Sequence, residues 1–552
     1  MPRHVNPLSE DRTALAPYNF VPLPNAVFTV ADGVQVGDAK AEPWHAQDRY
    51  LPGTHSGWID LSLTTKTPLF IRGAARHPGE TASSRDRPES FTVPDPDHCK
   101  TRLPAIPDNN LRGAVRTLVE ILSFAKIAPV SEQKPFFRTV GNDRLGHAYR
   151  ARMVRGNVKP SGGFLRYAGD RWWIEPAEVL RIPHEALKAK TMFRYRTHPG
   201  YTPSVENPEL QYADVWVRRG DKGWQCRDIA LREPPGAADW LRGRLVLTGS
   251  APKKKAEFVF LAKASADRVL IPVNTWRRFL DDDQITNWQE KSFPQDWPAK
   301  DARSTAGHPL PGEPVFYLCD DREIEPDNPV GLVFFGRAQM FRLPYDRCPA
   351  DLVPQELSGA PLDLAEALFG YVRRKAGDED VALGGRVRFD DAVAVRGGPE
   401  WYERRLVPRI LASPKPTAFS QYLTQDGREP SERLTTYLDG DRTVIRGHKL
   451  YWHRWDDAQG LEAVEQPDTN GAVPPGDTQS TAIEPVKSGV TFAGRIRFDN
   501  LADIELGALL EALQLPGGCA HKIGMAKPLG LGSLRIEVER VTFVDRQTRY
   551  AD

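Results

Sequence analysis

One stretch near the C-terminus constrains this chain more than any other: Gly517-Gly518-Cys519-Ala520-His521-Lys522-Ile523-Gly524-Met525-Ala526-Lys527-Pro528-Leu529-Gly530-Leu531-Gly532-Ser533. Five glycines punctuate it, two lysines and a histidine are interleaved, and no Asp or Glu occurs between Glu511 and Glu537. Glycine permits positive φ and lets another backbone approach closely. Lysines beside such a turn can neutralise phosphate, and bare N–H groups can cradle it. A connector that needs several glycines is the competing reading of the same residues. No Gly-Lys-Ser/Thr closes the loop, so it is not a nucleotide P-loop.

The flanks give the loop its setting. Val490, Phe492, Ile496 and Phe498 alternate with Thr491, Ala493, Arg495 and Arg497, the pattern of a half-buried strand. Asp503 can cap a helix whose Leu506, Leu509, Leu510 and Leu513 share one face. Leu534, Ile536 and Val538 then alternate with Arg535, Glu537 and Glu539. Strand, helix, glycine loop, strand is half of a ferredoxin-like unit. Sheets of this kind often bind RNA.

Earlier in the chain, Ile59, Leu61 and Leu63 alternate with Asp60, Ser62 and Thr64, another strand, which Pro68 ends. A polar loop from about Arg72 to Arg102 follows, of a length that is functional or disordered in most domains. It carries Asp86, Asp95 and Asp97; a loop carboxylate beside RNA can deprotonate a 2′-hydroxyl or hold a divalent ion. A helix comes next, capped by Asp108, Asn109 or Asn110, with Leu111, Val115, Leu118 and Leu122 as its buried stripe and Arg112 and Arg116 on another face. Residues 1–54 read as an extended segment, 127–329 as a strand-rich insertion, and 396–488 as a second insertion ending in a flexible stretch from about Glu462 to Ser488. The core stretches are then 55–126, 330–395 and 489–552.

Within the second insertion, Arg446 to Trp455 reads Arg-Gly-His-Lys-Leu-Tyr-Trp-His-Arg-Trp. Aromatics such as Trp452 can stack on bases while cations such as Lys449 hold phosphates. A strand with a buried aromatic face accounts for the same residues equally well. His448 and His453 differ by an odd number and face opposite ways on a strand, so they do not share a metal. His98-Cys99 beside Asp95 and Asp97 lacks a second pair at zinc spacing.

Net charge is only +1 over 552 residues, so any polyanion must be met by local patches. The five cysteines are scattered, which fits a reducing cytoplasm and neither disulfides nor a zinc cluster. No apolar run approaches the roughly 18 residues a membrane span needs, and no apolar signal segment follows Met1.

Four motifs in order resemble the RAMP superfamily of CRISPR-associated proteins. They are Ile59 to Thr65 with Thr67-Pro68-Leu69-Phe70-Ile71-Arg72-Gly73; Ile106-Pro107-Asp108-Asn109-Asn110-Leu111-Arg112-Gly113; Leu368-Phe369-Gly370 with Gly385-Arg386-Val387-Arg388-Phe389-Asp390-Asp391-Ala392; and the glycine loop. The familiar helix start has Gly-Ser-Ser where this chain has Asp108-Asn109-Asn110. The resemblance implies an α+β fold, a ferredoxin-like (RRM-like) RAMP core with large strand-rich insertions. It is nearest to the large backbone-type subunit of type III CRISPR effector complexes, which binds guide (CRISPR) RNA.

By that likeness Asn110, Arg112, Arg116, Lys522, Gly524, Lys527, Gly530 and Gly532 contact RNA. A helix N-terminus and a glycine turn both offer N–H groups to phosphate. The implied partners are CRISPR RNA, target RNA and other effector subunits, with no membrane. In many such subunits an aspartate after the first strand cuts target RNA with a divalent cation such as magnesium, and Asp86 is nearest by position. Two alternatives stand beside this. One is a metal-independent endoribonuclease maturing the guide, with His77, His98, His448 or His453 as acid or base. The other is a protein-interaction subunit without RNA chemistry.

Overall fold

The computed structural model describes residues 16–33, 44, 47–73, 88–98, 101–127, 130–139, 141, 143–155, 160–188, 212–247, 255–263, 267–280, 309–357, 361–373, 381–396, 400–411, 417–425, 433–440, 443–454, 460–474, 477 and 479–550. Asp86, His77, Cys99 and Trp455 lie outside them. The fold is α+β, with more strand than helix. The chain divides into two units, 1–133 with 347–552, and 134–346.

In the first unit the elements that matter are β1 (Tyr18–Val21), β2 (His55–Thr65), β3 (Thr92–Pro94), β4 (Arg102–Ile106), α1 (Asp108–Leu122), α2 (Leu364–Phe369), β5 (Val387–Phe389), β6 (Ala392–Arg396), β7 (His448–Tyr451), β8 (Thr491–Leu501), α3 (Asp503–Leu513), β9 (His521–Lys522) and β10 (Ser533–Phe543). The main sheet runs β9-β10-β2-β8-β6-β4-β3, with β5 also on β8. Its pairs are antiparallel. Treating β5 and β6 as one interrupted strand, the four central strands stand in the order fourth, first, third, second. Helices follow the first and third of them, with the β3–β4 hairpin inserted before α1. That is the ferredoxin-like arrangement.

Alternation decides which face is covered. Ile59, Leu61 and Leu63 of β2, Phe492, Ile496 and Phe498 of β8, and Leu534 and Ile536 of β10 join one buried cluster with Leu111, Val115, Val119, Leu506, Leu509 and Leu513 of the helices. The opposite face carries Asp60 between Arg495 and Arg540, at 2.6 and 2.9 Å. Burial alone would raise the Asp60 carboxyl, but the two guanidiniums hold it below its usual range. Arg386, buried beyond α2, donates to Glu505 of α3 through both terminal nitrogens and to the Asn500 carbonyl at 2.6 Å, locking β5 to the third-strand crossover. Arg388 of β5 lies opposite Arg497 of β8.

Several local expectations change. The α1 cap is Pro107, without a side-chain cap, and Leu122 is exposed while Val119 takes its place in the stripe. The α3 cap is Ala502, whose N–H donates to Glu505 at 2.9 Å; Asp503 instead meets His55 at 2.6 Å. The stretch around Glu462–Ser488 is not a loose linker. Among its described apolar residues, Val464 and Ile483 pack with Phe70, Leu406 and Leu531, and Val486 bridges to Leu69 and Tyr402.

The second unit is built on a nine-stranded sheet among the described residues, in the order Leu332–Gly336, Pro314–Cys319, Ser161–Ala168, Arg171–Pro183, Ala256–Ala262, Trp240–Val246, Tyr212–Arg219, Cys226–Ala230, with Val269–Ile271 also on Arg171–Pro183. Sequence patterning put the insertion at 127–329; Leu332–Gly336 pairs with Pro314–Cys319 and so belongs to this unit.

Candidate nucleic-acid interface

The glycine loop is the connection from α3 to β10, and its tip folds back on the chain after β2. Gly532 sits at φ 79°, and a Cβ there would lie 1.8 Å from the Ile523 carbonyl oxygen. Gly524, at φ 83°, would put a Cβ 2.6 Å from the Phe70 oxygen. No L side chain fits either position, so the glycines serve close backbone approach. The hydrogen bonds confirm it: Ile523 N–H donates to Gly532, Met525 to Phe70 and Gly532 to Pro68, at 2.8, 2.8 and 2.9 Å. Gly530 N–H donates to Lys527 and Ser533 N–H to Thr67 Oγ1. The expected cradle of bare amides is therefore largely occupied by protein. The amides close a compact hairpin, and what the hairpin presents is lysines.

Lys522 turns inward. Its ammonium donates to the Gly530 carbonyl at 2.9 Å and to Ser533 Oγ at 3.0 Å. Burial, then the charges of Lys527 and Arg454, bring its pKa down to about 8. Lys527 lies 5.9 Å from the Tyr451 ring, and burial followed by the Lys449 charge lowers its pKa as well. Among the described residues, the charges acting on this pair are positive.

Lys449 completes the group from a different part of the chain. Strand β7 pairs with β1, placing Tyr18 opposite Tyr451 and Phe20 opposite Lys449. The Lys449 ammonium stands 4.7, 5.5 and 5.2 Å from the rings of Tyr18, Tyr422 and Tyr451. Burial opposes its charge, but the hydroxyls of Tyr451 and Tyr422 outweigh that and raise its pKa. Trp452, next along, is 53% exposed. His453 Nδ1 is 2.8 Å from Ser533 Oγ. Burial, then the Lys522 charge, drops its pKa to about 4, so the ring is neutral at pH 7. Arg454 packs its stem on Gly530. His448 is buried, with a lowered pKa, and His98 lies 3.5 Å from Asp95 on a surface turn.

Asn110, Arg112 and Arg116 form a separate group. Asp108 N–H donates to Asp391 at 2.8 Å, Asn109 N–H to Asp108 at 2.5 Å, and Asn110 N–H to Pro107 at 3.1 Å. Carboxylates thus already stand where the helix start was expected to receive phosphate. Arg112 donates to the Phe369 carbonyl and lies 5.7 Å over the Phe369 ring. Arg116 reaches Glu120 at 2.9 Å and Gly370 at 3.1 Å. Neither arginine shares a partner with the lysine group among the described contacts.

The structure thus gathers Lys449, Lys522, Gly524, Lys527, Gly530 and Gly532; Trp452 follows Tyr451 in the chain, is exposed, and donates its backbone N–H to the Pro17 carbonyl. Sequence reasoning missed Tyr18, Tyr422 and Arg454. Tyr18 and Gln421, the neighbour of Tyr422, are joined by a 2.5 Å hydrogen bond across 403 residues, which no local pattern signals.

No family model matches this sequence, and no curated protein matches it. Among solved structures the chain is similar to "Crystal structure of Thermofilum pendens Csc2", at 17% identity and a TM-score of 0.15, over 33% of this chain and 36% of that one. The match spans about a third of the length of that protein. Among the described residues no helix is long and apolar enough to cross a membrane.

Proposed function

We propose that this chain is an RNA-binding subunit of a CRISPR-associated ribonucleoprotein and that it holds guide RNA by its phosphates at the lysine–tyrosine cluster. The observation that carries the reading is the convergence of Lys449 and Lys527 on the Tyr451 ring and of Lys522 and Arg454 on Gly530. Half-buried cations facing one another are unfavourable alone, and a polyanion relieves the repulsion. Tyr451 and the exposed Trp452 add flat surfaces on which a base can stack. The type III backbone role rests on the order of the sequence motifs. In this proposal Arg112 and Arg116 tie α1 to Phe369 and Gly370.

Target-RNA cleavage by Asp86 with a divalent cation belongs to the same proposal, as do target RNA and neighbouring effector subunits as partners. The first experiment is purification under native conditions: RNA of defined length should accompany the wild-type chain and be lost from Lys449→Ala/Lys527→Ala. RNA retained unchanged by that variant would overturn the assignment. Cleavage that survives EDTA but disappears with His453→Ala would move the function to guide maturation.

A further inference from the structure

We propose that the RNA strand held at the lysine cluster continues into an adjoining hollow between Lys66 and Arg535, which seats one further nucleotide through its phosphate. This rests on the RNA reading of the cluster. The hollow has a volume of about 300 Å³ and is lined by Lys66, Gly518, Cys519, Ala520 and Arg535.

The fold explains why three distant segments meet there. Lys66 and Thr67 donate their N–H groups to the Ser533 carbonyl at 2.8 and 3.2 Å, which fixes Lys66 beside the start of β10. Arg535 stands opposite Thr64 of β2, on the sheet face that the helices leave uncovered. The turn at Gly517–Gly518 leads into β9 on the other flank, and a Cβ at either glycine would meet nothing within 4 Å. The space in front of this turn is therefore open.

The hollow and the cluster share a wall. His453 touches Ser533 Oγ and also the Ala520 backbone, and Lys522 Nζ reaches the same Ser533 hydroxyl. A strand leaving Lys522 and His453 across this wall passes directly to Lys66 and Arg535. Arg535 is paired with Glu537 at 3.1 Å, but both side chains are about half exposed, at 50% and 57%. Exposed pairs of this kind are weak, so a phosphate competes for the guanidinium. A cavity of this size admits one nucleotide and not a folded element, which favours a thread of RNA over a docked protein.

Cys519 provides the probe: among the described cysteines it is the exposed one, Cys226 and Cys348 being buried and Cys319 partly buried. The full chain is treated with a maleimide, with and without oligouridine, and modification at Cys519 is read by peptide mass. RNA should slow labelling roughly tenfold, the scale of one charge-assisted contact. In Lys66→Ala/Arg535→Ala, RNA should stay bound at the cluster, with roughly tenfold weaker affinity, while Cys519 labels at its free rate. Retained RNA with Cys519 labelled at the free rate in the wild type would sink the hollow and leave the cluster standing. Failure of the wild type to bind RNA at all would sink both. Equal protection by polyglutamate would assign the hollow to an acidic protein segment instead.

Discussion

Substituting Gly532 by alanine tests whether the glycines act through close packing. The added Cβ would meet the Ile523 oxygen at 1.8 Å, and φ 79° is strained for any L residue. Left-handed backbone costs about 1 kcal/mol. Relieving the clash must break the bond from Ile523 to Gly532, at 2.8 Å, and that from Gly532 to Pro68, at 2.9 Å. At about 1 kcal/mol net each, these bring the total to roughly 3 kcal/mol. Gly518→Ala is the control: its φ is 83°, yet the new Cβ meets nothing within 4 Å, so only the strain remains. Amide hydrogen exchange over 521–534 reads local opening directly. Gly532→Ala should speed exchange there roughly 100-fold and Gly518→Ala roughly fivefold. RNA affinity should fall with the first. Equal effects from the two substitutions would refute the packing argument and restore the amides as the ligand-binding groups.

Lys527→Ala should lower the slope of log K against log salt by about 0.7, the value for one single-strand phosphate contact, without changing sequence preference; filter binding across a salt series decides it. Lys522 gives a pH signature. A phosphate nearby raises its pKa from about 8, so binding takes up a proton and affinity should fall as pH rises through 8, an effect absent from Lys522→Met. In the free protein the unfolded chain holds that proton more strongly, between about 8 and the ordinary 10.5. Wild-type Tm should therefore gain on Lys522→Met across that window. Arg386→Met leaves the buried Glu505 charge without its guanidinium, at a loss of about 3–5 kcal/mol, and adding Glu505→Gln, which removes the charge and keeps an acceptor for the Ala502 N–H, should recover most of it in thermal melts. If Asp86 cuts target RNA, EDTA and Asp86→Ala should each abolish cleavage while leaving guide RNA bound; cleavage by the alanine variant would remove Asp86 from the chemistry.

The ferredoxin-like core was legible because its signal is local. Ile59, Leu61 and Leu63, or Leu506, Leu509 and Leu513, declare strand and helix through spacing alone, and these are the residues buried at the centre. The glycine loop announced itself through composition. Whether its glycines serve close packing or a phosphate cradle stayed open in the sequence, because the neighbour that forbids a Cβ at Gly524 is Phe70, over four hundred residues away. The stretch through Ile483 and Val486 looked loose for a related reason: sparse apolar residues pack only once Leu406, Leu69 and Tyr402 are brought to them.

By itself the sequence determined the sheet-and-helix core, the absence of acid from the glycine loop and the presence of lysines there. Tertiary structure alone decided which cations stand together. Lys449 reaches Lys527 because β7 pairs with β1 and because Tyr18, Tyr422 and Tyr451 close around its ammonium. Arg112 and Arg116, which looked equivalent in sequence, are instead held at Phe369 and Gly370. Side-chain periodicity is a property of a few neighbouring residues, whereas the field at an ammonium sums over whatever the fold brings within several ångströms of it.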